Sequence, residues 1–218
     1  IFSVVSPVTT LDNQSGISAS ASISSPTNLP VNLTQGGHIS IFGNNTLTIA
    51  APVIADGDDG GLINLISYQG DLNLQATYIQ ANGANGRGGT IGISGLNSTI
   101  LTATAINANG WNHGGIIKIG NDADNGTLPF SFITAIDSGS GLFAKQGSFD
   151  TSAVGGFIET SAATVNLLGS INAGRGGMWL LDPLDLTISG SQNVNGTSST
   201  NNYTGSGGTS SLSASTLN

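Results

Sequence analysis

A Gly-Gly pair followed by a run of alternating apolar residues recurs six times along this chain of 218 residues. Successive pairs begin 24, 28, 26, 41 and 21 residues apart. This is the spacing at which one supersecondary unit stacks on the next to share a continuous core. The pairs are Gly36-Gly37, Gly60-Gly61, Gly88-Gly89, Gly114-Gly115, Gly155-Gly156 and Gly176-Gly177. The repeat therefore predicts a solenoid.

Each repeat divides into short segments with strand periodicity, because apolar and polar residues alternate after the Gly-Gly pair. A second such segment occupies residues 46–51, 71–76 and 99–105, and a third occupies 52–57, 78–83 and 105–110. Three strands and three corners per turn predict an all-β chain folded as a right-handed parallel β-helix. The Gly-Gly, Asn-Gly and Asp-Gly steps are expected to supply positive φ at its corners. About nine coils, spanning about 40 Å, are expected at the ~4.8 Å strand spacing.

The same alternation predicts which side chains fill the core of this β-helix. Aliphatic residues at matched positions of successive repeats should form one inward stack along the axis. A slip of one residue would turn every one of them outward. The stack comprises Ile39, Ile63, Ile91, Ile117 and Ile158. Exposure of most of these side chains would contradict the alignment of the repeats.

The repeat is clear between residues 35 and 190, and the flanking segments differ in composition. Residues 1–34 are interpreted as an irregular coil leading into the β-helix. Residues 191–218 are rich in Ser, Thr, Asn and Gly and are expected to pack on the solenoid or a neighbour. One or both ends should pair with an end coil, in the same molecule or the next one along a fibre. The 41-residue spacing predicts a loop, or a coil without its Gly-Gly pair.

Composition argues against several classes of partner. Only 7% of the residues are charged, and 12 acidic residues against 4 basic ones give a net charge of -8. Nucleic acid and anionic membrane surfaces are therefore disfavoured. The sequence contains no run of 18 apolar residues, so it does not predict a segment that inserts into a membrane. The opening residues lack the features of a signal peptide, so the sequence is expected to begin inside a longer precursor. The absence of cysteine excludes disulfides and thiolate sites.

Catalysis is disfavoured because no group of carboxylates recurs at a shared strand position. Polysaccharide lyases and hydrolases also use parallel β-helices, and they need such groups. The densest acidic cluster, Asp56, Asp58 and Asp59, is interpreted as a solvated corner, with a weak calcium site as the alternative. Residues 122–126 resemble a calcium loop in composition but lack its spacing. We therefore predict no catalytic residue, no cofactor and no metal site. Turnover lost on mutating Asp58 or Glu159 would contradict this.

Several basic residues adjoin the Gly-Gly pairs. His38 and His113 are expected at equivalent surface positions on one face, too far apart to share a metal. Arg87 and Arg175 each directly precede a pair. They are expected to bond corner carbonyls or to remain solvated.

The two tryptophans are predicted to differ in environment. Trp179 lies in the apolar sequence MWLLD and is expected to close the stack of coils. Trp111 lies in the polar corner formed by residues 109–113, where an aromatic side chain should be exposed. It is the candidate contact residue, for either a sugar or a protein.

Residues 153–190 resemble the closing coils of the β-helix in filamentous haemagglutinin-like exoproteins of Gram-negative two-partner secretion. In that family a GGF-E-S coil precedes a WLLDP-x-[DN]-[IL]-T-I stretch, and this chain has GGFIETS from Gly155 and WLLDPLDLTI from Trp179. Residues 114–122, GGIIKIGND, resemble the family's GG-x-I-x-IGGD run, with Asn121 replacing the second Gly. The resemblance covers roughly residues 35–190 and does not include the family's amino-terminal secretion domain.

The resemblance implies a secreted adhesin at the bacterial surface or in the extracellular medium, with a role in attachment, aggregation or biofilm matrix. Its expected partner is a glycan or protein on a host or neighbouring cell. The leading alternative is a structural subunit of a self-assembling extracellular filament, joined head to tail. A carbohydrate-cleaving β-helix enzyme is the third possibility.

Overall fold

The computed structural model describes residues 2–11, 17–18, 35–122, 126–184, 186–188 and 210–212. These ranges hold 19 strands, and all the strand pairings in them are parallel. The described part of the chain is therefore all-β. It contains no helix long and apolar enough to cross a membrane.

The strands, numbered in chain order, form three ladders. Ladder 1 contains β1 (Phe2–Leu11), β3 (His38–Ile49), β5 (Leu62–Ser67), β8 (Thr90–Gly95), β11 (Ile116–Ile119), β14 (Phe157–Ala162) and β17 (Met178–Pro183). Ladder 2 contains β6 (Asp71–Gln75), β9 (Ser98–Thr102), β12 (Ile133–Ile136), β15 (Thr164–Leu167), β18 (Leu186–Ile188) and β19 (Ser210–Leu212). Ladder 3 contains β2 (Ile17–Ser18), β4 (Val53–Ile54), β7 (Tyr78–Gln80), β10 (Ala105–Asn107), β13 (Gly141–Phe143) and β16 (Ser170–Asn172).

Each strand of a repeat pairs with the matching strand of the next repeat. In ladder 1, for example, Ile91 lies between Ile63 and Ile117. Ladders 1 and 2 belong to one 13-stranded sheet, and ladder 3 is a separate sheet of six strands. The first two ladders are joined because β3 is 12 residues long, and its second half pairs with β6.

The five isoleucines predicted to stack inward do so, and this prediction is confirmed. Ile39, Ile63, Ile91, Ile117 and Ile158 occupy one register position and have no exposed surface. They belong to one continuous core that all three ladders line. At about 25 cal/mol per Å² of buried apolar surface, such columns supply most of the stabilisation of a chain that has few charges and no disulfide.

Ladder 1 has seven layers in the described residues, fewer than the nine coils expected. At the usual strand spacing, seven layers span about 30 Å. The repeat that begins at Gly114 uses 41 residues for a single layer, because segments 120–132 and 144–156 leave the ladders. The loop predicted from this long spacing is therefore present, and the described residues of this repeat form no extra coil.

Both terminal segments pair within the molecule, one of the two arrangements expected for them. Strand β1 pairs with β3 from Phe2 onward, and β2 pairs with β4. At the other end, β19 lies between β15 and β18. The rest of residues 191–218 lies outside the described residues.

Glycine is needed at the Gly-Gly pairs because there is no room for a side chain. This corrects the expectation that the pairs supply positive φ. Among the described residues, the glycines with positive φ are Gly120, Gly126, Gly174 and Gly176, and only Gly176 belongs to a pair. A Cβ added to Gly115 would lie 2.1 Å from the carbonyl oxygen of Gly89. One added to Gly89 would lie 2.1 Å from the oxygen of Gly61. Each pair thus packs backbone to backbone on the pair before it, and no side chain fits between them.

Positive φ occurs instead at two alanines, at the corner between ladders 2 and 3. Ala76 and Ala103 have φ of 47° and 48°, and the Ala76 N–H donates to the carbonyl oxygen of Thr102 at 2.9 Å. The left-handed region costs an L-residue about 1–2 kcal/mol. Glycine avoids this cost but loses about 0.4–1 kcal/mol through greater freedom of the unfolded chain.

Replacing Ala103 with glycine is therefore expected to raise the free energy of unfolding by about 0.5–1 kcal/mol. Chemical denaturation would measure the change. The control is Ala105→Gly, because Ala105 lies in β10 and does not have positive φ. This substitution is expected to lower the free energy of unfolding by a similar amount. Destabilisation by both substitutions would contradict the strain assigned to Ala103.

Candidate binding corner

The Gly-Gly corner is the set of segments that join each ladder 3 strand, from β4 onward, to the next ladder 1 strand. It comprises residues 55–61, 81–89, 108–115, 144–156 and 173–177. The ladders hold both ends of every segment in register, so segments of unequal length must project by different amounts. The longest is 144–156, which belongs to the repeat with the wide spacing.

Side-chain oxygens tie the successive segments of this corner together. The backbone N–H of Asn82 donates to Asp56 Oδ1 at 2.6 Å. In the same way the N–H of Asn109 donates to Asn82 Oδ1 at 2.9 Å, and that of Lys145 to Asn109 Oδ1 at 2.9 Å. We call Asp56, Asn82, Asn109 and Lys145 the corner ladder. It spans four repeats and holds the corner in one conformation.

The acidic cluster of the first segment bonds to the next repeat. Asp58 Oδ1 accepts a hydrogen bond from Asn85 Nδ2 at 2.6 Å, and Asp59 Oδ1 accepts one from the Arg87 N–H at 2.7 Å. Each of the three aspartates therefore accepts a hydrogen bond from the next repeat of the corner. Within the described ranges, no three His, Asp or Glu side chains are grouped so as to hold a metal ion.

The run resembling a calcium loop lies partly outside the described residues, which omit 123–125. Asp122, at its start, pairs with Lys118 and accepts a hydrogen bond from Thr127 Oγ1 at 2.6 Å. This carboxylate is buried and serves the packing of segment 120–132 against the outer surface of ladder 1.

Trp111 is exposed, as predicted, with 51% of its surface accessible. Its backbone N–H donates to the Gly83 oxygen at 3.1 Å, which fixes the residue in the corner. A Cβ added to Gly147 would lie 3.2 Å from Cε3 of the indole. The ring therefore packs on the glycine backbone of the next repeat and keeps much of its surface open to solvent.

A groove of about 330 Å³ adjoins the indole and crosses three repeats. Its lining contains one aromatic ring, three amide side chains and one ammonium group. The lining residues are Asn82, Gly83, Ala84, Asn109, Gly110, Trp111, Lys145, Gln146 and Gly147. This composition suits a polar ligand with a flat apolar face.

Phe149 is a second exposed aromatic residue of the corner, and it was missed in the sequence analysis. It projects from segment 144–156 with 95% of its surface accessible. The Ser148 N–H donates to the Trp111 oxygen at 2.8 Å, so the two aromatic residues belong to adjacent segments. The sequence did offer a signal for this residue, because Phe149 lies within the 41-residue spacing that predicts a loop.

Hydrogen bonds order the loop that carries Phe149. The backbone N–H and the hydroxyl of Ser152 each donate to Asp150 Oδ1 at 2.8 Å. These bonds lower the pKa of Asp150, which therefore stays ionised at neutral pH. Arg175 Nη2 donates to the backbone oxygens of Asp150 and Ala153. Phe149 is thus presented by a braced loop.

The basic residues beside the pairs are placed partly as predicted. Arg175 bonds corner carbonyls, and Arg87 is exposed. The equivalence of the two histidines was wrong, because His113 bridges to Arg87 whereas His38 pairs with Leu62 in ladder 1. One histidine precedes its Gly-Gly pair and the other follows it, so register places them in different columns.

Glu159 and Asp58, the two carboxylates named above as tests for catalysis, lie in different environments. It is fully buried on β14, where it pairs with Lys118 of β11 and accepts a hydrogen bond from Ser161 Oγ at 2.9 Å. Asp58 belongs to the Gly-Gly corner. The structure does not bring these two carboxylates together.

Trp179 packs against the last layer of the core. It pairs with Ile158 in ladder 1 and is partly buried, and its Nε1 donates to Thr160 Oγ1 at 3.0 Å. This placement agrees with the predicted closing role. It separates Trp179 from the exposed aromatic residues of the corner.

Comparison with protein-family models, with curated proteins and with solved structures finds no significant match. The relation to filamentous haemagglutinin-like exoproteins therefore remains a prediction from the Gly-Gly repeat and the Trp-Leu-Leu-Asp-Pro sequence.

Proposed function

We propose that this chain is a right-handed parallel β-helix and forms part of a secreted, fibrous surface adhesin of the filamentous haemagglutinin-like kind. Its three parallel ladders support the β-helix. Right-handedness is supported by the general rule that about 98% of crossovers between parallel strands of one sheet are right-handed. An adhesin of this kind acts in attachment, aggregation or biofilm matrix, at the bacterial surface or in the surrounding medium.

The observation that carries the proposal is the pair of exposed aromatic side chains on one ordered corner. Trp111 and Phe149 lie on adjacent segments that are hydrogen bonded to each other. Exposed aromatic residues are the side chains that most often dominate binding energy when a partner covers them. A rigid corner also avoids most of the ordering cost that a mobile loop would pay on binding.

We also propose that the protein acts without catalysis. Lys145 is the only ionisable side chain lining the groove, and glycoside hydrolysis by the common mechanism needs two carboxyl groups flanking the bond. Assays of reducing-end release and of unsaturated-product absorbance test this directly. Turnover that is lost on replacing Asp58 or Glu159 would overturn the proposal and favour the enzyme.

The adhesin proposal predicts that Trp111→Ala and Phe149→Ala each weaken attachment. Truncation of a residue that dominates binding costs more than about 1 kcal/mol, so the binding constant should fall at least about fivefold. Binding of labelled protein to a glycan array and to cell surfaces provides the measurement.

The matched control is Phe132→Ala. This phenylalanine is 65% exposed but lies beside ladder 2, away from the Gly-Gly corner. Its replacement should leave attachment unchanged. Equal losses for all three variants, or for none, would count against the corner as the contact surface.

The alternative proposal is a filament subunit that associates head to tail. It is favoured by β17, which has one neighbour among the described strands, β14. Beside it, Trp179, Leu181 and Ile171 pack against the core and are only partly buried by the described residues. A strand with a single neighbour among the described strands, flanked by partly buried apolar side chains, favours strand addition by another chain. Light scattering and electron microscopy test this, and a monomer at high concentration would exclude it.

A further inference from the structure

The Gly-Gly corner separates acidic from basic residues along the axis of the chain. Its first segment contains Asp56, Asp58 and Asp59 and no basic residue. The later segments collect three of the chain's four Lys and Arg residues, together with a histidine. These are Arg87, His113, Lys145 and Arg175. The remaining cation, Lys118, is buried beside Asp122.

The later segments contain one carboxylate, Asp150, which is engaged with Ser152. On a chain with net charge -8, the later segments of the corner therefore carry more basic than acidic residues, and Lys145 is the charged side chain that lines the groove. The residues concerned are up to 88 positions apart in sequence, from Arg87 to Arg175. Stacking of the repeats brings them onto one corner.

In the groove, hydrogen bonds within the protein occupy acceptor groups, while several donor groups of the same residues have no partner among the described residues. The side-chain oxygens of Asn82 and Asn109 accept the next backbone N–H in the corner ladder. Gln146 Oε1 accepts the Arg175 N–H at 3.0 Å. The backbone oxygens of Gly83 and Gly110 accept N–H groups of the following repeat.

The donors of the same residues remain available. The Asn82 and Asn109 amide nitrogens, Gln146 Nε2 and the Trp111 indole N–H make no side-chain hydrogen bond within the described part of the chain. The side chain of Lys145 is exposed, and its Nζ lies 5.3 Å from the centroid of the Phe143 ring without a hydrogen bond to it. The two asparagines come from neighbouring layers, so their amides are spaced by about one strand separation, ~4.8 Å. A row of donors with one cation suits a ligand that is rich in acceptors and negatively charged.

We propose that this groove binds a carboxylate-bearing saccharide of the uronic acid class. The sugar ring lies on the exposed indole of Trp111. Its carboxylate pairs with Lys145 and its hydroxyl oxygens accept hydrogen bonds from Asn82 and Asn109. This inference rests on the proposed role of the corner as a contact surface, and adds the ligand class and the residue that selects for charge.

Calorimetric titration with tetragalacturonic acid and with its fully methyl-esterified form tests the proposal. The two ligands have the same sugar rings and differ in the carboxylate charge. The acid should bind at least about fivefold more tightly. Lys145→Gln should weaken binding of the acid about two- to fivefold and leave binding of the ester unchanged. Salt at 0.5 M should remove most of the preference for the acid.

Trp111→Ala should weaken binding of both ligands, and Phe132→Ala should weaken neither. Equal affinity for acid and ester, still dependent on Trp111, would overturn the charge selectivity while supporting a sugar-binding corner. If the unmodified protein binds neither ligand, yet Trp111→Ala lowers attachment to protein-coated surfaces, the saccharide is overturned and the contact surface stands. If Trp111→Ala lowers neither saccharide binding nor attachment, both the saccharide and the contact surface are overturned.

Discussion

Replacing Gly115 with alanine is expected to lower the free energy of unfolding by about 3 kcal/mol or more. The new Cβ would lie 2.1 Å from the Gly89 oxygen and 2.7 Å from the Gly88 carbonyl carbon. These are backbone atoms held by ladder hydrogen bonds, so relief requires separating two layers of the corner. Overpacking in a close-packed site typically costs 1–3 kcal/mol, and more when the backbone must move. Urea denaturation monitored by circular dichroism would measure the loss.

Gly139→Ala is the matched control for this substitution. Gly139 is exposed and has no positive φ, and its new Cβ would lie 3.4 Å from its nearest neighbour atom, Ala103 Cα. Its effect should stay within about 0.5 kcal/mol. Similar stabilities for the two variants would show that the Gly-Gly pairs are not held by close backbone packing.

Replacing Lys118 with methionine is expected to cost about 3–5 kcal/mol. Lys118 is buried on the outer side of ladder 1, where it pairs with the Asp122 carboxylate and lies opposite Glu159 in register. Both carboxylates are buried. Removing the ammonium group would leave the buried Asp122 carboxylate without the cation that it pairs with. The midpoint of chemical denaturation should fall accordingly.

Neutralising Asp122 in the same variant should recover much of the loss. Adding Asp122→Asn to Lys118→Met removes the uncompensated charge while keeping a similar volume. Lys145→Met, at an exposed position, should change stability by less than about 0.5 kcal/mol. A Lys118→Met variant as stable as the unmodified protein would contradict a role for this charge cluster in holding segment 120–132.

The core of the fold could be predicted because strand alternation and register determine each other. Ile63, Ile91 and Ile117 occupy matched places after their Gly-Gly pairs, and a slip of one residue would reverse every side chain. Exposure of Trp111 followed from its polar corner sequence. The long spacing between Gly114 and Gly155 also indicated a loop.

The candidate site could be predicted only in part, since the side-chain hydrogen bonds between its segments join residues 22 or more positions apart. No local pattern shows that the Asn82 oxygen is consumed by the Asn109 N–H, or that Phe149 lies on the segment next to Trp111. The two histidines were placed in one column because each adjoins a Gly-Gly pair. Their order relative to the pair decides the column, and it differs between them.

The sequence by itself determined the strand repeat, the inward aliphatic columns and the positions of the tight corners. These depend on an alternation with period two and on the recurrence of glycine, both of which are local properties. Only the tertiary structure decided why the glycines are needed, which hydrogen-bond acceptors are already used, and which charges gather beside the groove. Those properties depend on how one repeat lies on the next, because parallel stacking brings into contact residues that are a full turn apart in the chain.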